Sequence, residues 1–235
     1  MSFKYNKRPD VVLTHKIEKL LREHPDGILP IVQVGEPVLR QKTVDFNGQL
    51  EHELLLKLLD AMKITMRKAP GVGLAAPQIG LNLNLAVLED SSVPADFDPE
   101  EEDDERETYN LPFFTIINPT YTSTSSKDNR ILNFYEGCLS FSSYYAIRPR
   151  SREILAKWTD ENGRDHEKIF KGWPARIFQH ETDHLSGDIY IDRAYIRSLT
   201  TADNLQKLEY DDAEYVSKLL EFELDSTNSV DISEV

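Results

Sequence analysis

Trp173-Pro174-Ala175-Arg176-Ile177-Phe178-Gln179-His180-Glu181-Thr182-Asp183-His184-Leu185-Ser186-Gly187 carries its own start and stop signals. Proline is tolerated in the first turn of a helix, where its missing N–H has no partner to lose. Glycine just past the last turn accepts the left-handed conformation that ends one. The stretch therefore predicts a helix over 173–186. On it His180 and His184 stand four positions apart, one turn above the other on a single face. Two imidazoles so placed can grip one metal ion. Glu181 is rotated around the helix, where its carboxylate can reach an activated water without occupying a coordination position. The competing reading of the pair alone is a helix with two surface histidines. Asp183 points about 100° away from His184, which suits it to orient a ligand or the helix rather than to be a ligand.

Ahead of this helix, Glu153 to Trp158 and His166 to Phe170 alternate apolar and polar residues around Asp160-Glu161-Asn162-Gly163, the pattern of a β-hairpin. Leu83 to Leu88 and Phe113 to Ile117 also read as strands. Val11 to Arg22 has a helical apolar face. A second helix carries Leu54, Leu55, Leu58, Leu59, Met62 and Met66 as a core stripe and is closed by Pro70-Gly71. Leu205 to Leu224 reads as a further helix, followed by an acidic end without a visible core. Strands that precede a helix docked against them predict an α+β domain with mainly antiparallel sheets packed around a central metal-binding helix.

Two histidines need further ligands, and no histidine follows His184. Cys138 is among the remaining candidates. It is the only cysteine, so an intramolecular disulfide is excluded and the thiol must be packing, reactive or a ligand. It sits in Glu136-Gly137-Cys138-Leu139-Ser140, where the glycine permits close approach to a bulky centre. One thiolate and two imidazoles would leave a fourth position open, as a catalytic metal requires. The segment Gly71-Val72-Gly73-Leu74-Ala75-Ala76-Pro77-Gln78-Ile79-Gly80 lets a substrate backbone lie close to the chain and offers the Gln78 amide as a donor. Its bland reading is a glycine-rich helix-to-strand connection. It lacks the Gly-Lys-Ser/Thr ending of a phosphate loop and the glycine spacing of a dinucleotide site.

The chain has 235 residues and a formal charge of -14, but the acid is unevenly placed. Nine carboxylates fall between Asp96 and Glu107 and nine between Glu209 and Glu234. The remainder carries 25 basic against 23 acidic groups. A near-neutral body with acidic appendages argues against direct DNA or RNA binding, because there is no broad basic surface to displace counterions. The acidic runs read as solvated segments. With no apolar run long enough to span a membrane and an opening Met-Ser-Phe-Lys-Tyr-Asn-Lys-Arg unlike a leader, the expected location is cytoplasmic.

Together the three blocks resemble the peptide deformylase family, whose signatures have the forms Gly-x-Gly-x-Ala-Ala-x-Gln, Glu-Gly-Cys-x-Ser and Gln-His-Glu-x-Asp-His-x-x-Gly. All three are matched without a gap, in order, and the resemblance covers about residues 28–195. It implies an enzyme that removes the formyl group from the amino-terminal formyl-methionine of new proteins. Cys138, His180 and His184 would hold one divalent metal ion, Fe(2+) in the cell, replaceable by Ni(2+), Co(2+) or Zn(2+). Glu181 would take the proton of the attacking water and deliver it to the departing amine. Gln78 and the backbone N–H of Leu139 would stabilise the developing oxyanion. Gly73 would meet the substrate main chain, and Val72, Trp173 and Ile177 would wall the methionine pocket. Glu136 and Arg150 look like an ion pair that steadies the cysteine strand. The partners implied are N-formyl-methionyl nascent peptides and a transient association with the ribosome, where the acidic tail could dock only through basic protein surface.

The sequence departs from the family after Ser140, where Phe141-Ser142-Ser143-Tyr144-Tyr145 replaces the usual Val-Pro continuation. It also carries an acidic insertion within about residues 90–112. The organisation expected is a catalytic domain over 1–197 and an acidic extension over 198–235, part helical and part disordered. Two other readings stand beside this one: a metal-dependent peptidase or amidase of different specificity, and a non-catalytic metal- or partner-binding homologue. The intact Glu181 and Gln78 argue against the second.

Overall fold

A computed structural model of the chain describes residues 9–92, 94, 105–207 and 212–224. The elements run α1 (Val11–Glu23), α2 (His52–Lys68), β1 (Gly73–Ala75), β2 (Leu85–Asp90), β3 (Leu111–Ser123), β4 (Ile131–Cys138), β5 (Phe141–Ser151), β6 (Glu153–Thr159), β7 (Asp165–Lys171), α3 (Gly172–Ser186), β8 (Thr200–Thr201), α4 (Ala202–Lys207) and α5 (Ala213–Leu219). Asp10 starts α1 by accepting the Val12 and Leu13 amides at 2.9 and 3.0 Å. This satisfies donors that the first turn cannot pair internally. The core stripe expected on α2 is present, with Leu55, Leu58, Leu59, Met62 and Met66 buried.

Among the described residues, one antiparallel sheet has the order β1-β2-β3-β6-β7 and a second the order β4-β5-β8. β2 shows why its sequence does not alternate. Leu85 and Val87 pack into the cluster that contains the α2 stripe, while Ala86 and Leu88 pack with Ala175, Ile177 and Phe178 of α3. The sheet is thus covered on both faces, and a strand covered on both faces reads as a continuous apolar run. The β6–β7 hairpin turns where Asp160 accepts the Asn162 and Arg164 amides, each at 2.9 Å. Phe170 at its end stacks on Phe178 of α3, with ring centroids 5.5 Å apart. α3 is therefore held between the two sheets, contacting β1, β2, β3, β6 and β7 on one side and β5 on the other. This is the α+β arrangement expected, with the motif helix at its centre. The helix stops at Gly187, whose φ is 86°.

β4 and β5 form a long hairpin that the sequence pattern did not announce. Its inward residues include Glu136, Arg148 and Arg150, all buried, so apolar alternation is broken where the polar core lies. Where the pattern predicts a single helix over 205–224, the described residues hold α4, ending at Lys207, and α5, which starts at Ala213. Asp212 accepts the Glu214 and Tyr215 amides at 2.8 and 3.1 Å and so starts α5 afresh. The extension does reach a core: β8 pairs with Tyr144 and Tyr145 of β5, and Val216 is buried beside Ile147. Most of the acidic insertion and the acidic end lie outside the described residues.

Candidate active site

α3 presents His180, Glu181 and His184 to the end of β4, whose last residue is Cys138. The Cys138 Sγ lies 3.2 Å from His184 Nε2. One ligating atom from each of Cys138, His180 and His184 falls within 4.8 Å of the others. His180 gives its Nδ1 to Glu136 at 2.9 Å, which leaves Nε2 for ligation. His184 is 1% exposed. A single first-row ion bonded to nitrogen and sulfur at about 2.0–2.3 Å fits between three such atoms. The two imidazoles meet edge to face at 73°, with centroids 5.0 Å apart. The sequence-predicted ligands are therefore together in space.

The remaining predicted residues surround the same point. A cavity of about 710 Å³ is lined by Val72, Gly73, Gln78, Cys138, Leu139, Trp173, Ile177, His180 and Glu181, while His184 lies beneath it. Gln78, in a short turn after β1, is buried. Its Oε1 accepts the Ala75 amide at 2.8 Å, which turns Nε2 toward Cys138 Sγ, 3.6 Å away. Glu181 is buried against Gly73, where an added Cβ would stand 2.1 Å from Glu181 Oε1. Its Oε2 has no hydrogen-bond partner in the structure. Burial pushes the Glu181 carboxyl up to about 7, against the pull of His180 and Arg150. A carboxyl with a value near neutrality can both take and return a proton.

Beneath the ligands lies a buried ion network. Arg150 donates Nε and Nη2 to Glu136 at 2.6 and 3.0 Å, and its Nη1 to Asp183 at 2.7 Å. Asp183 also accepts the Tyr121 hydroxyl at 2.8 Å, so it braces the helix from outside the ligand set. Burial alone would raise the Glu136 carboxyl, but Arg150, His180 and Arg176 together hold it well below the ordinary range. Arg176 donates to Glu136 at 2.6 Å, and burial pushes its own value down to about 10. Sequence reading anticipated the Glu136–Arg150 pair but missed Arg176, Arg148 and Tyr121. An arginine inside a helical apolar stretch is the signal that could have found Arg176, since a buried guanidinium needs an acidic partner.

A family model described as polypeptide deformylase matches residues 28–200. Peptide deformylase 1 of Bifidobacterium longum is 55% identical over 205 residues, covering 87% of this chain and 90% of that protein. Peptide deformylase 3 of Streptomyces avermitilis is 44% identical over 189 residues, 80% of each chain. Among solved structures, the class I type b peptide deformylase from Acinetobacter baumannii bound to Met-ala-ser aligns with a TM-score of 0.60 at 30% identity, covering 71% of this chain and 98% of that one. With a family model matched over residues 28–200 and its candidate triad Cys138, His180 and His184 brought together on β4 and α3, this chain belongs to the polypeptide deformylase family.

Proposed function

We propose that this enzyme removes the formyl group from amino-terminal formyl-methionine through the residues gathered around Cys138, His180 and His184. The observation that carries the assignment of roles is the placement of Glu181: a buried carboxylate with one oxygen unpartnered, on the cavity that Cys138 and His180 border and beneath which His184 lies. Cys138, His180 and His184 would hold one divalent ion, which when bound lowers the pKa of a water and polarises the formyl oxygen. We take the ion in the cell to be Fe(2+). The mixed sulfur and nitrogen donors also suit Zn(2+), Ni(2+) and Co(2+).

Glu181 accepts the proton of the attacking water and returns it to the amine nitrogen as the C–N bond breaks, releasing formate and a free amino terminus. The Gln78 amide, oriented by the Ala75 N–H, and the backbone N–H of Leu139 stabilise the negative oxygen that develops on the formyl carbon. Gly73 admits the substrate main chain beside Glu181. Val72, Trp173 and Ile177 form the apolar wall for the methionine side chain. The catalytic domain spans 1–197 with residues 198–235 as an extension. The protein works in the cytoplasm on nascent peptides, with transient docking on basic protein surface of the ribosome. Among the described residues no helix is long and apolar enough to cross a membrane.

Formate release from formyl-Met-Ala-Ser by the iron- or nickel-loaded protein, kept free of oxygen, tests this function. Release of formate with Met-Ala-Ser left intact supports it. Cleavage within the unformylated peptide would instead assign a peptidase.

A further inference from the structure

The end of the acidic segment is fastened to the first turn of α3. The Trp173 amide donates to the Arg106 carbonyl at 2.8 Å. Glu107 is paired with Arg152, whose Nε donates to both of its carboxylate oxygens at 2.9 Å. Gly172 has a φ of +55°, and a Cβ there would stand 2.4 Å from Glu107 Cβ and 2.6 Å from the Arg106 carbonyl oxygen. The two strands of chain touch backbone to backbone, which needs a glycine on both counts. Held in this way, Arg106 lays its guanidinium over two rings, 5.2 Å from the centroid of Trp173 and 5.6 Å from that of Phe134. Both distances lie within the roughly 6 Å over which a ring face attracts a cation. Arg106 also borders the cavity together with Trp173 and Ile177.

We propose that Arg106 is a specificity-determining wall of the pocket for the first side chain of the substrate, a flat cationic plane set beside Trp173 that limits side-chain length. This rests on the deformylase reading given above, and it assigns a task to the end of the acidic segment. An unbranched thioether fits against Trp173 and Ile177 and ends before the guanidinium. A longer first side chain must displace Arg106 from its rings, and a cationic one is repelled. The backbone ties at Trp173 and Gly172, with the Glu107–Arg152 pair, keep the plane in register with α3, so the wall cannot swing away without losing several contacts.

The test compares the metal-loaded parent, Arg106→Ala and Arg106→Leu on two peptides: formyl-Met-Ala-Ser, and the same peptide with an unbranched six-carbon side chain in place of methionine. Both kcat/KM and the affinity of the corresponding unformylated peptides, measured by calorimetry, are read as the ratio of long to methionyl. Arg106→Ala should raise both ratios by about tenfold, the worth of two methylenes that find room to be buried. Arg106→Leu keeps an apolar contact on both rings, which guards the fold, and should give a smaller rise in the same direction. Ratios that stay at the parental value in both variants, or an equal loss on the two peptides, would overturn the wall. The affinity ratio reads the wall independently of turnover. A parent that binds the peptides but releases no formate from either would overturn the deformylase reading alone.

Discussion

Nδ1 of His180 lies 2.9 Å from Oε2 of Glu136, a buried carboxylate whose other edges are taken by Arg150 and Arg176. One nitrogen of the imidazole is thereby committed to the fold and the other is turned to the cavity. The ring is thus held in place by Glu136 of β4, itself paired with Arg150 of β5.

Glu136→Gln tests that dependence. It removes the charge shared by two buried guanidinium groups and weakens the acceptor for His180. Metal affinity should fall by about 10–100-fold, as measured by chelator competition. Stability should fall by roughly 3–5 kcal/mol in urea titration, since breaking a buried pair leaves uncompensated charge behind.

Gly73→Ala should be far more damaging to turnover than its size suggests. The new methyl would stand 2.1 Å from Glu181 Oε1, and the neighbouring strand β2 leaves β1 little room to retreat. Displacing the base by even about 1 Å can cost on the order of 100-fold in rate. Steady-state kinetics should show this loss in kcat, with the bound metal content unchanged.

Gln78→Ala should lower kcat by about 100–1,000-fold, the usual cost of losing one oxyanion donor, with a small change in KM. It also frees the Ala75 amide, which Gln78 Oε1 now satisfies. A fall of about 1–3 kcal/mol in stability should accompany it, visible as a lower Tm.

In the metal-stripped protein the stability that Glu181 contributes should fall as pH rises from about 4.5 to about 7, while the buried His184, whose value burial lowers, acts in the opposite sense. Burial raises the Glu181 carboxyl from an ordinary 4.5 to about 7. In this window the folded state holds a proton that the unfolded state has given up. The contribution is complete below the unfolded value and is lost as pH climbs through the folded one. It amounts to roughly 3 kcal/mol at this shift. Urea titrations of parent and Glu181→Gln, both metal-free, should diverge across the window, with the parent losing stability relative to the variant.

The sequence made the helix legible because Pro174 and Gly187 are local signals that need no tertiary context. The stripe on α2 was legible for the same reason. The β4–β5 hairpin was not, since its inward face is built on Glu136, Arg148 and Arg150, which pair with α3 and with one another rather than with apolar neighbours. The ligand set required a contact between positions 138 and 184 that no periodicity encodes, and only the joint motifs pointed to it. The two-part extension was missed because Asp212 acts as a cap in the middle of a continuous helical pattern. Arg106 was hidden inside an acidic run, where a single cation looks like solvated surface.

The role proposed for Glu181 is that of the base in deformylation. The most direct measurement is formate release from formyl-Met-Ala-Ser under anaerobic conditions by the parent and Glu181→Gln, each loaded with the same metal and each shown to hold one equivalent of it. Rapid release by the parent and a loss of at least about 100-fold in the variant are expected. Comparable release by the two proteins would contradict that role.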